Sequence, residues 1–239
     1  MTRILLHGAN GAMGRALRAL LDAGFADCTA GPMVSRSGNG AFASFSEVLE
    51  PADIVLDFSF HTATEGALDF ALEHGLPIVI GTTGHTQQER ARIERASEQI
   101  PVFFSGNMSL GIAALCGLVR EAARLFPEAE IEIVETHHSR KADAPSGTAI
   151  TLAEGIISEI GRKTGWVNEP SDDLSQIVVT SLREGAVPGT HTVTYESDDD
   201  RIELKHTIKN RRTLALGAVV AAEFLCGKKG VYTMDDLLK

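Results

Sequence analysis

The sequence contains few cysteines and no long run of apolar residues. Its 239 residues include three cysteines, Cys28, Cys116 and Cys226, and their spacing matches no zinc or redox motif. We therefore expect free thiols in a reducing compartment rather than disulfides. No stretch approaches the roughly eighteen apolar residues of a transmembrane helix, and the N-terminus shows no signal-peptide pattern. We accordingly expect a cytoplasmic protein with no membrane partner.

Basic residues are also scarce. The chain has 22 Lys and Arg against 32 Asp and Glu, which gives a formal net charge of −10. Because nucleic-acid binding depends on Lys and Arg that contact phosphates, we expect no nucleic-acid partner. Two small basic islands remain, Arg140–Lys141 and Lys209–Arg212, and they indicate either sites for a small anion or ordinary solvated turns.

The chain up to residue 107 alternates short apolar segments with amphipathic ones. Strands are predicted over residues 3–7, 29–35, 54–58, 77–80 and 101–104, and helices over 14–23, 62–74 and 86–98. Repeated β–α–β alternation is typical of an α/β fold with a doubly wound parallel sheet. In such a sheet the loops at the carboxyl ends of the strands share one edge, where ligands bind. We predict that residues 1–107 form a dinucleotide-binding domain.

The pattern changes after residue 107. It predicts a helix over 109–126, a strand over 130–136 with one wet face, and a helix over 150–161. Antiparallel strands are predicted over 176–182, 189–197 and 201–208, followed by a helix over 213–225. We therefore predict an inserted α+β domain over residues 108–212, and a return of residues 213–239 to the first domain.

A glycine-rich loop follows the first predicted strand and precedes a helix. It reads Gly8-Ala9-Asn10-Gly11-Ala12-Met13-Gly14, a variant of the dinucleotide-binding fingerprint. Glycine lets the backbone approach a pyrophosphate, and the helix N-terminus offers N–H groups and a positive dipole end. We predict that the loop binds a dinucleotide. The alternative is a tight turn that serves packing alone.

Three further strand ends are predicted to line the cofactor. After the second strand, Ser35 occupies the position of the acidic residue that binds a ribose 2′-hydroxyl, and Arg36 follows. This pattern favours NADPH, with NADH as the alternative cofactor, unless Arg36 is an ordinary surface residue. Gly81-Thr82-Thr83-Gly84 follows the fourth strand and offers hydroxyls to an amide or ribose, although a plain tight turn also explains it. Ser105-Gly106-Asn107-Met108 follows the fifth strand.

A segment rich in proton-bearing side chains lies in the second predicted domain. Glu135–Lys141 includes His137, His138 and Lys141, and Ser146-Gly147-Thr148 follows before a helical stretch. Histidine exchanges protons near neutral pH, and a helix start binds anions, so the pattern indicates an anionic, carboxylated substrate that needs a proton. The alternative is a polar loop. Adjacent histidines cannot readily share one ion and no third ligand is obvious, so we predict no metal site.

Taken together, these motifs resemble those of the dihydrodipicolinate reductase family, also called 4-hydroxy-tetrahydrodipicolinate reductases, of bacterial lysine and diaminopimelate synthesis. The resemblance covers essentially the whole chain. Besides the glycine loop it rests on Asp57–Ser59, Gly81–Gly84, Asn107–Gly111, Glu135–Ala149, Gly217–Ala218 and Gly230–Leu237. The string from His137 to Ala149 is its most specific part.

The resemblance implies a hydride transfer from NAD(P)H to a cyclic dicarboxylate, with loss of a hydroxyl as water. By position, His137 would be the general acid/base and Lys141 the second proton donor. His138, Gly147 and Thr148 would hold a substrate carboxylate, and the second domain would bind substrate and form a homotetramer through its sheet. Arg211 matches a basic position near the cofactor or a hinge.

The sequence departs from the family at Ala12, which replaces a common arginine, and at Ser35, where many members carry an acidic residue. Two other functions are weighed against the reductase. A related dehydrogenase of another small acid would need a nucleophilic cysteine or a different base in the second domain. A binding protein without catalysis should lack His137 and Lys141, and both are present.

Overall fold

The computed structural model describes residues 1–238 and divides the chain into two compact units. The first unit comprises residues 1–110 and the chain from Arg211 onward, and the second comprises residues 111–210. The boundaries predicted from the sequence lie after residues 107 and 212. Each unit has its own sheet and its own apolar core.

The strands and helices are, in chain order, β1 (Thr2–His7), α1 (Ala12–Asp22), β2 (Cys28–Val34), β3 (Ile54–Asp57), α2 (His61–His74), β4 (Ile78–Ile80), α3 (Gln87–Ala96), β5 (Val102–Phe104), α4 (Leu110–Leu125), β6 (Glu130–His137), α5 (Gly147–Ile157), β7 (Gly165–Val167), β8 (Gln176–Arg183), β9 (Thr190–Glu196), β10 (Arg201–Thr207), α6 (Arg212–Leu225) and β11 (Val231–Tyr232). Short 3-10 turns cover Phe45–Glu47 and Met234–Leu238.

The sheet of the first unit is parallel throughout, with the order β11-β5-β4-β3-β1-β2. Its central strands β1 and β3 are apolar and buried, which is typical of strands that helices cover on both faces. The chain runs outward from β1 to β2 and returns to β3 on the other side of β1, so the winding direction reverses between β1 and β3. The predicted doubly wound parallel sheet is confirmed. Strand β11 was not predicted, because two residues are too short to show a pattern.

The second unit has a mixed sheet with the order β10-β9-β6-β8-β7. Strand β6 lies at its centre, antiparallel to β9 and parallel to β8. The prediction of an antiparallel series is therefore wrong for β8, which is parallel to both of its neighbours. Because β8 and β9 lie on opposite sides of β6, residues 184–189 cross the end of β6 instead of forming a hairpin.

One face of this second sheet packs against α4 and α5. Its inward residues, among them Ile131 and Ile133, form one buried cluster with Val119 of α4 and Leu152 of α5. Within residues 1–238, no helix combines the length and apolarity that a membrane crossing requires.

Candidate active site

The candidate catalytic site of the second unit is built on the carboxyl end of β6. Side chains alternate between the two faces of a strand, and Ile131 and Ile133 lie on the face that α4 and α5 cover. The same alternation places Glu135 and then His137 on that face. Glu135 is completely buried, so a carboxylate occupies a position where the pattern predicts an apolar side chain.

The carboxylate of Glu135 is held on both oxygens. Oε2 is hydrogen-bonded to Nδ1 of His137. Oε1 accepts from Nη2 of Arg183 at 2.9 Å and from the backbone N–H of Ser146 at 3.3 Å. Burial disfavours the charged form of Glu135, but the hydrogen bonds from Arg183 and Ser181 and the charge of His137 outweigh it and lower its pKa. Glu135 is therefore an anion at neutral pH.

The His137 ring lies between this carboxylate and Gly189, the last residue of the segment that crosses the end of β6. Burial lowers the pKa of His137, although the charge of Glu135 acts in the opposite direction. Gly189 has a φ of +154°, and a Cβ there would lie 3.0 Å from Nε2 of His137. Glycine at this position therefore leaves room beside Nε2, the nitrogen that Glu135 does not bind.

A second histidine packs against the first. The rings of His137 and His191 lie edge to face, with centroids 5.2 Å apart. His191 is almost fully buried, and burial lowers its pKa to about 4, so it is neutral at neutral pH. Its Nε2 lies 3.1 Å from Oγ of Ser146.

Lys141 lies in the loop after β6 and forms an ion pair with Asp143. Its Nζ is 2.8 Å from both carboxylate oxygens of Asp143. Arg183 donates to the backbone carbonyl of Asp143 at 2.6 Å with the same Nη2 that binds Glu135. The predicted proton donor is thus connected to the buried carboxylate through two residues whose roles the sequence analysis did not identify.

Helix α5 starts at this site, three residues before the predicted start. Oγ of Ser146 accepts from the N–H of Ala149 at 3.2 Å, and this cap lets the helix begin at Gly147. Gly147 and Thr148 are its first residues, and the start of a helix presents backbone N–H groups and a positive dipole end. The other predicted substrate contact, His138, has an enclosed Nδ1 without a hydrogen-bond partner among residues 1–238.

A metal ion is the alternative occupant of this cluster. Glu135, His137 and His191 each place one ligand atom within 4.8 Å of the others. However, Arg183 and the amide of Ser146 already bind Glu135, and the guanidinium would repel a cation at so short a distance. The absence of a metal site remains a prediction.

The glycine loop of the first unit lies at the carboxyl end of β1. Gly8 has a φ of +81°, and a Cβ there would overlap the backbone of Phe58, so the loops after β1 and β3 touch. Helix α1 begins after Gly11, with no side-chain cap among the described residues and no acidic residue in its first turn. Its first amides and positive dipole end therefore fit the pyrophosphate of a dinucleotide.

A buried aspartate connects the strand ends around this loop. Asp57, at the end of β3, is fully buried and accepts hydrogen bonds from the hydroxyls of Ser59, Thr64 and Thr82 at 2.5, 2.7 and 3.0 Å. Nδ1 of His7, at the end of β1, lies 2.8 Å from the same carboxylate. Burial opposes ionisation of Asp57, but His7 and the hydroxyls outweigh it and lower the pKa.

The loop that carries Arg36 is attached to the glycine loop. The side-chain amide of Asn10 donates to Oγ of Ser37 at 3.0 Å and to the carbonyl of Gly38 at 2.7 Å. Ser35 is buried and Arg36 is exposed. Arg36 is therefore exposed on a loop that is hydrogen-bonded to the glycine loop.

The remaining predicted cofactor residues lie in adjacent loops. A Cβ on Gly106 would lie 3.3 Å from the methyl group of Thr83, so the loops after β4 and β5 are neighbours. Oγ of Ser105 donates to the carbonyl of Asn107 within the second loop. The side chain of Met108, like that of Ala9 in the glycine loop, is buried, so any contact of these two with a cofactor is made by their backbone.

Comparison with known proteins establishes the family. A sequence model described as the N-terminus of dihydrodipicolinate reductase matches residues 2–108, and one described as the C-terminus matches residues 111–238. This chain belongs to the dihydrodipicolinate reductase family. The resemblance drawn from the motifs and the prediction of a nicotinamide-dependent reductase are thereby confirmed.

Individual relatives agree with this assignment. A 4-hydroxy-tetrahydrodipicolinate reductase from Caldanaerobacter subterraneus is 37% identical, with 100% of this chain and 99% of the relative covered. One from Akkermansia muciniphila is 39% identical, with 100% and 98% covered. Among solved structures, a dipicolinate-bound dihydrodipicolinate reductase from Paenisporosarcina sp. TG-14 shares the fold, with a TM-score of 0.83, 21% identity, and 98% and 97% of the two chains covered.

Four residues of the two candidate sites in this dihydrodipicolinate reductase family member, Glu135, Asp57, Arg183 and His191, were given no role from the sequence. Glu135 could have been found, since the alternation of β6 puts it on the buried face. Asp57 gave a similar signal, because it ends the apolar run of β3. Arg183 and His191 gave none, since they reach the site only through the pairing of β8 and β9 with β6.

Proposed function

We propose that this chain reduces 4-hydroxy-tetrahydrodipicolinate to tetrahydrodipicolinate in lysine and diaminopimelate synthesis, the activity that the names of its relatives state for them. The observation that carries the proposal is the arrangement around β6. A histidine bonded to a buried carboxylate, a lysine and a helix start all lie within one hydrogen-bonded network.

The proposed reaction needs a bound dicarboxylate and a proton. A bound nicotinamide supplies the hydride, and the substrate hydroxyl leaves as water, which consumes one proton. In the proposal His137 is the general acid/base, with Nε2 as the exchanging nitrogen, and Lys141 is the second donor. His138, Gly147 and Thr148 hold a substrate carboxylate, which is supported by the amides and positive dipole end at the start of α5.

For the cofactor, we propose that the strand-end loops of the first unit bind the dinucleotide. The residues concerned are Gly8, Ala9, Asn10, Gly11, Ala12, Met13, Arg36, Gly81, Thr82, Thr83, Ser105, Gly106, Asn107 and Met108. NADPH is the proposed preferred cofactor because Arg36 can bind a 2′-phosphate, and Ser35 offers no carboxylate to repel it. NADH is the proposed alternative.

We further propose that the protein is cytoplasmic and homotetrameric, with residues 108–212 as the substrate-binding and tetramerisation domain. The second sheet supports this, because α4 and α5 cover only one of its faces. Light scattering on the purified protein tests it, and a monomer at micromolar concentration would contradict it.

The function is tested with freshly generated substrate and either nicotinamide. NADPH oxidation is expected, and no turnover with NADPH or NADH would exclude the proposed activity. Lys141→Ala should lower kcat by about 100-fold or more, as expected when a proton donor is removed. Arg140→Ala is the matched control, since its exposed neighbouring charge takes no part in the proposed chemistry. An unchanged kcat for Lys141→Ala would remove that residue from the mechanism.

The cofactor preference is tested with Arg36→Ala. Loss of a charge-assisted contact should weaken NADPH binding by roughly 1.5–3 kcal/mol and leave NADH binding nearly unchanged. Isothermal titration with each cofactor measures both affinities. Equal losses for the two cofactors would show that Arg36 does not bind a 2′-phosphate.

A further inference from the structure

We infer that Glu135 is a positioning residue that selects the tautomer of His137 and couples this histidine to Arg183 and to the start of α5. The inference rests on the proposed role of His137 as the acid/base. It concerns a side chain that is itself sealed from solvent and acts through the ring it holds.

The position of Glu135 is set by the pairing of three strands. In the register of the second sheet, Glu135 is paired with His191 on β9, and His137 is paired with Arg183 on β8. These four side chains therefore converge at one end of the sheet. The carboxylate lies between a ring that exchanges protons and a guanidinium that keeps a permanent charge.

The hydrogen bond to Glu135 selects one form of the neutral imidazole. An ionised carboxylate only accepts, so Nδ1 of His137 must carry the proton. Nε2, beside Gly189, is then unprotonated and able to accept a proton. After Nε2 takes up a proton, the same carboxylate stabilises the imidazolium.

The charges around His137 act in opposite directions. Glu135 on β6 favours the protonated ring, whereas Lys141 in the following loop and Arg183 on β8 disfavour it. His191 on β9 faces the ring as a neutral group, and His206 on β10 is paired with His191. Burial lowers the pKa of His137, and Glu135, the acidic side chain in contact with the ring, opposes that effect.

Glu135 also connects the ring to the proposed carboxylate-binding helix start. Its Oε1 accepts from the N–H of Ser146, the residue that caps α5. Arg183 donates to that same oxygen and to the carbonyl of Asp143, the ion-pair partner of Lys141. One carboxylate therefore orients the proposed acid/base, the proposed donor loop and the helix start together.

The experiment compares Glu135→Gln with Glu128→Gln, which alters an exposed glutamate in the turn before the same strand. Glutamine keeps the size of the side chain but can donate to Nδ1. We expect the His137 proton to move to Nε2, the pKa of His137 to fall, and kcat to drop by about 10- to 100-fold, as is typical for residues that orient a functional histidine. Nitrogen-15 NMR of labelled histidine, assigned with His137→Gln, reports tautomer and pKa, and steady-state kinetics across pH reports kcat. Glu128→Gln should match the wild type in both.

Glu135→Asp is the second variant, because it keeps the charge and shortens the side chain. It should retain the Nδ1–H tautomer that Glu135→Gln loses, even if both variants are less stable. A wild-type tautomer, pKa and kcat in folded Glu135→Gln would overturn the inference, as would loss of the tautomer in Glu135→Asp. The NMR result needs no substrate. If the tautomer changes in Glu135→Gln but the wild-type enzyme shows no turnover, the positioning role is supported and the proposed reaction is refuted. If all variants turn over substrate at the normal rate, the positioning role alone is refuted.

Discussion

Each unit buries a carboxylate at the end of a central strand, but the two carboxylates have different partners. We expect the one in the first unit to hold loops together and the one in the second unit to influence the protonation of a histidine. Asp57 and Glu135 are both fully buried, and each contacts Nδ1 of a histidine. The other side-chain partners of Asp57 are the hydroxyls of Ser59, Thr64 and Thr82, which are neutral. The other side-chain partners of Glu135 include Arg183, a permanent cation.

This difference has a physical consequence. Hydroxyl donors satisfy Asp57 and join the ends of β3 and β4 and the start of α2, but they bring no charge that could tune a neighbouring ring. Around Glu135, a guanidinium and two imidazoles share a small volume, so a proton gained or lost there changes the energy of its neighbours. We therefore expect changes at Asp57 to affect mainly stability, and changes around Glu135 to affect mainly titration.

The largest effect is expected for Asp57→Ala. It removes the carboxylate that His7 contacts and that accepts from the hydroxyls of Ser59, Thr64 and Thr82. The free energy of unfolding should therefore fall by about 3–5 kcal/mol. Urea denaturation measures the loss, with the exposed Asp22→Ala as control. A loss below about 1 kcal/mol would show that the strand ends of the first unit do not depend on this carboxylate.

The next effect is the pH dependence that His191 contributes. Burial lowers its pKa from the ordinary 6.5 to about 4 in the folded protein. Between pH 6.5 and pH 4, His191 binds a proton in the unfolded chain but not in the folded one. Its contribution to the free energy of unfolding is therefore complete above pH 6.5 and is lost as the pH falls towards 4. The full loss is about 3.5 kcal/mol, at about 1.4 kcal/mol per pKa unit.

The measurement is urea denaturation of wild type and His191→Gln at several pH values from 7 to 4. The wild type should lose stability relative to the variant as pH falls. His74→Gln, at an exposed histidine of α2, should run parallel to the wild type. If the difference in unfolding free energy between wild type and His191→Gln does not change with pH, His191 has the same pKa in the folded and unfolded states.

The smallest effect is expected for Ser59→Ala. It removes one of several neutral donors to Asp57, which costs about 1 kcal/mol in unfolding free energy. The titration of His137, followed by NMR, should not change. A shift of the His137 pKa in this variant would break the proposed separation between the two carboxylates.

The fold of the first unit was accessible from the sequence because its signals are local. The glycine loop lies between β1 and α1. The buried strands β1 and β3 are each built around an apolar run that a loop follows. Two-residue β11 was too short to recognise. In the second unit β6 also gave a local signal, and its alternation places Glu135 among inward residues.

The direction of β8 was predicted wrongly because periodicity does not encode which neighbour a strand pairs with. Antiparallel strands were predicted for this part of the chain, yet β8 and β9 both pair with β6 instead of with each other. The start of α5 was placed three residues late, because the capping hydrogen bond of Ser146 is a matter of geometry and not of apolar spacing.

The sequence by itself determined the order of the elements, the glycine loop at the first strand end, and the string from His137 to Ala149 that marks the family. These features depend on residues close together in the chain. Only the tertiary structure decided what surrounds His137. Arg183 lies 48 residues from Glu135 along the chain and meets it because β8 pairs with β6. Such pairing results from packing of the whole sheet on its helices, which no local pattern specifies.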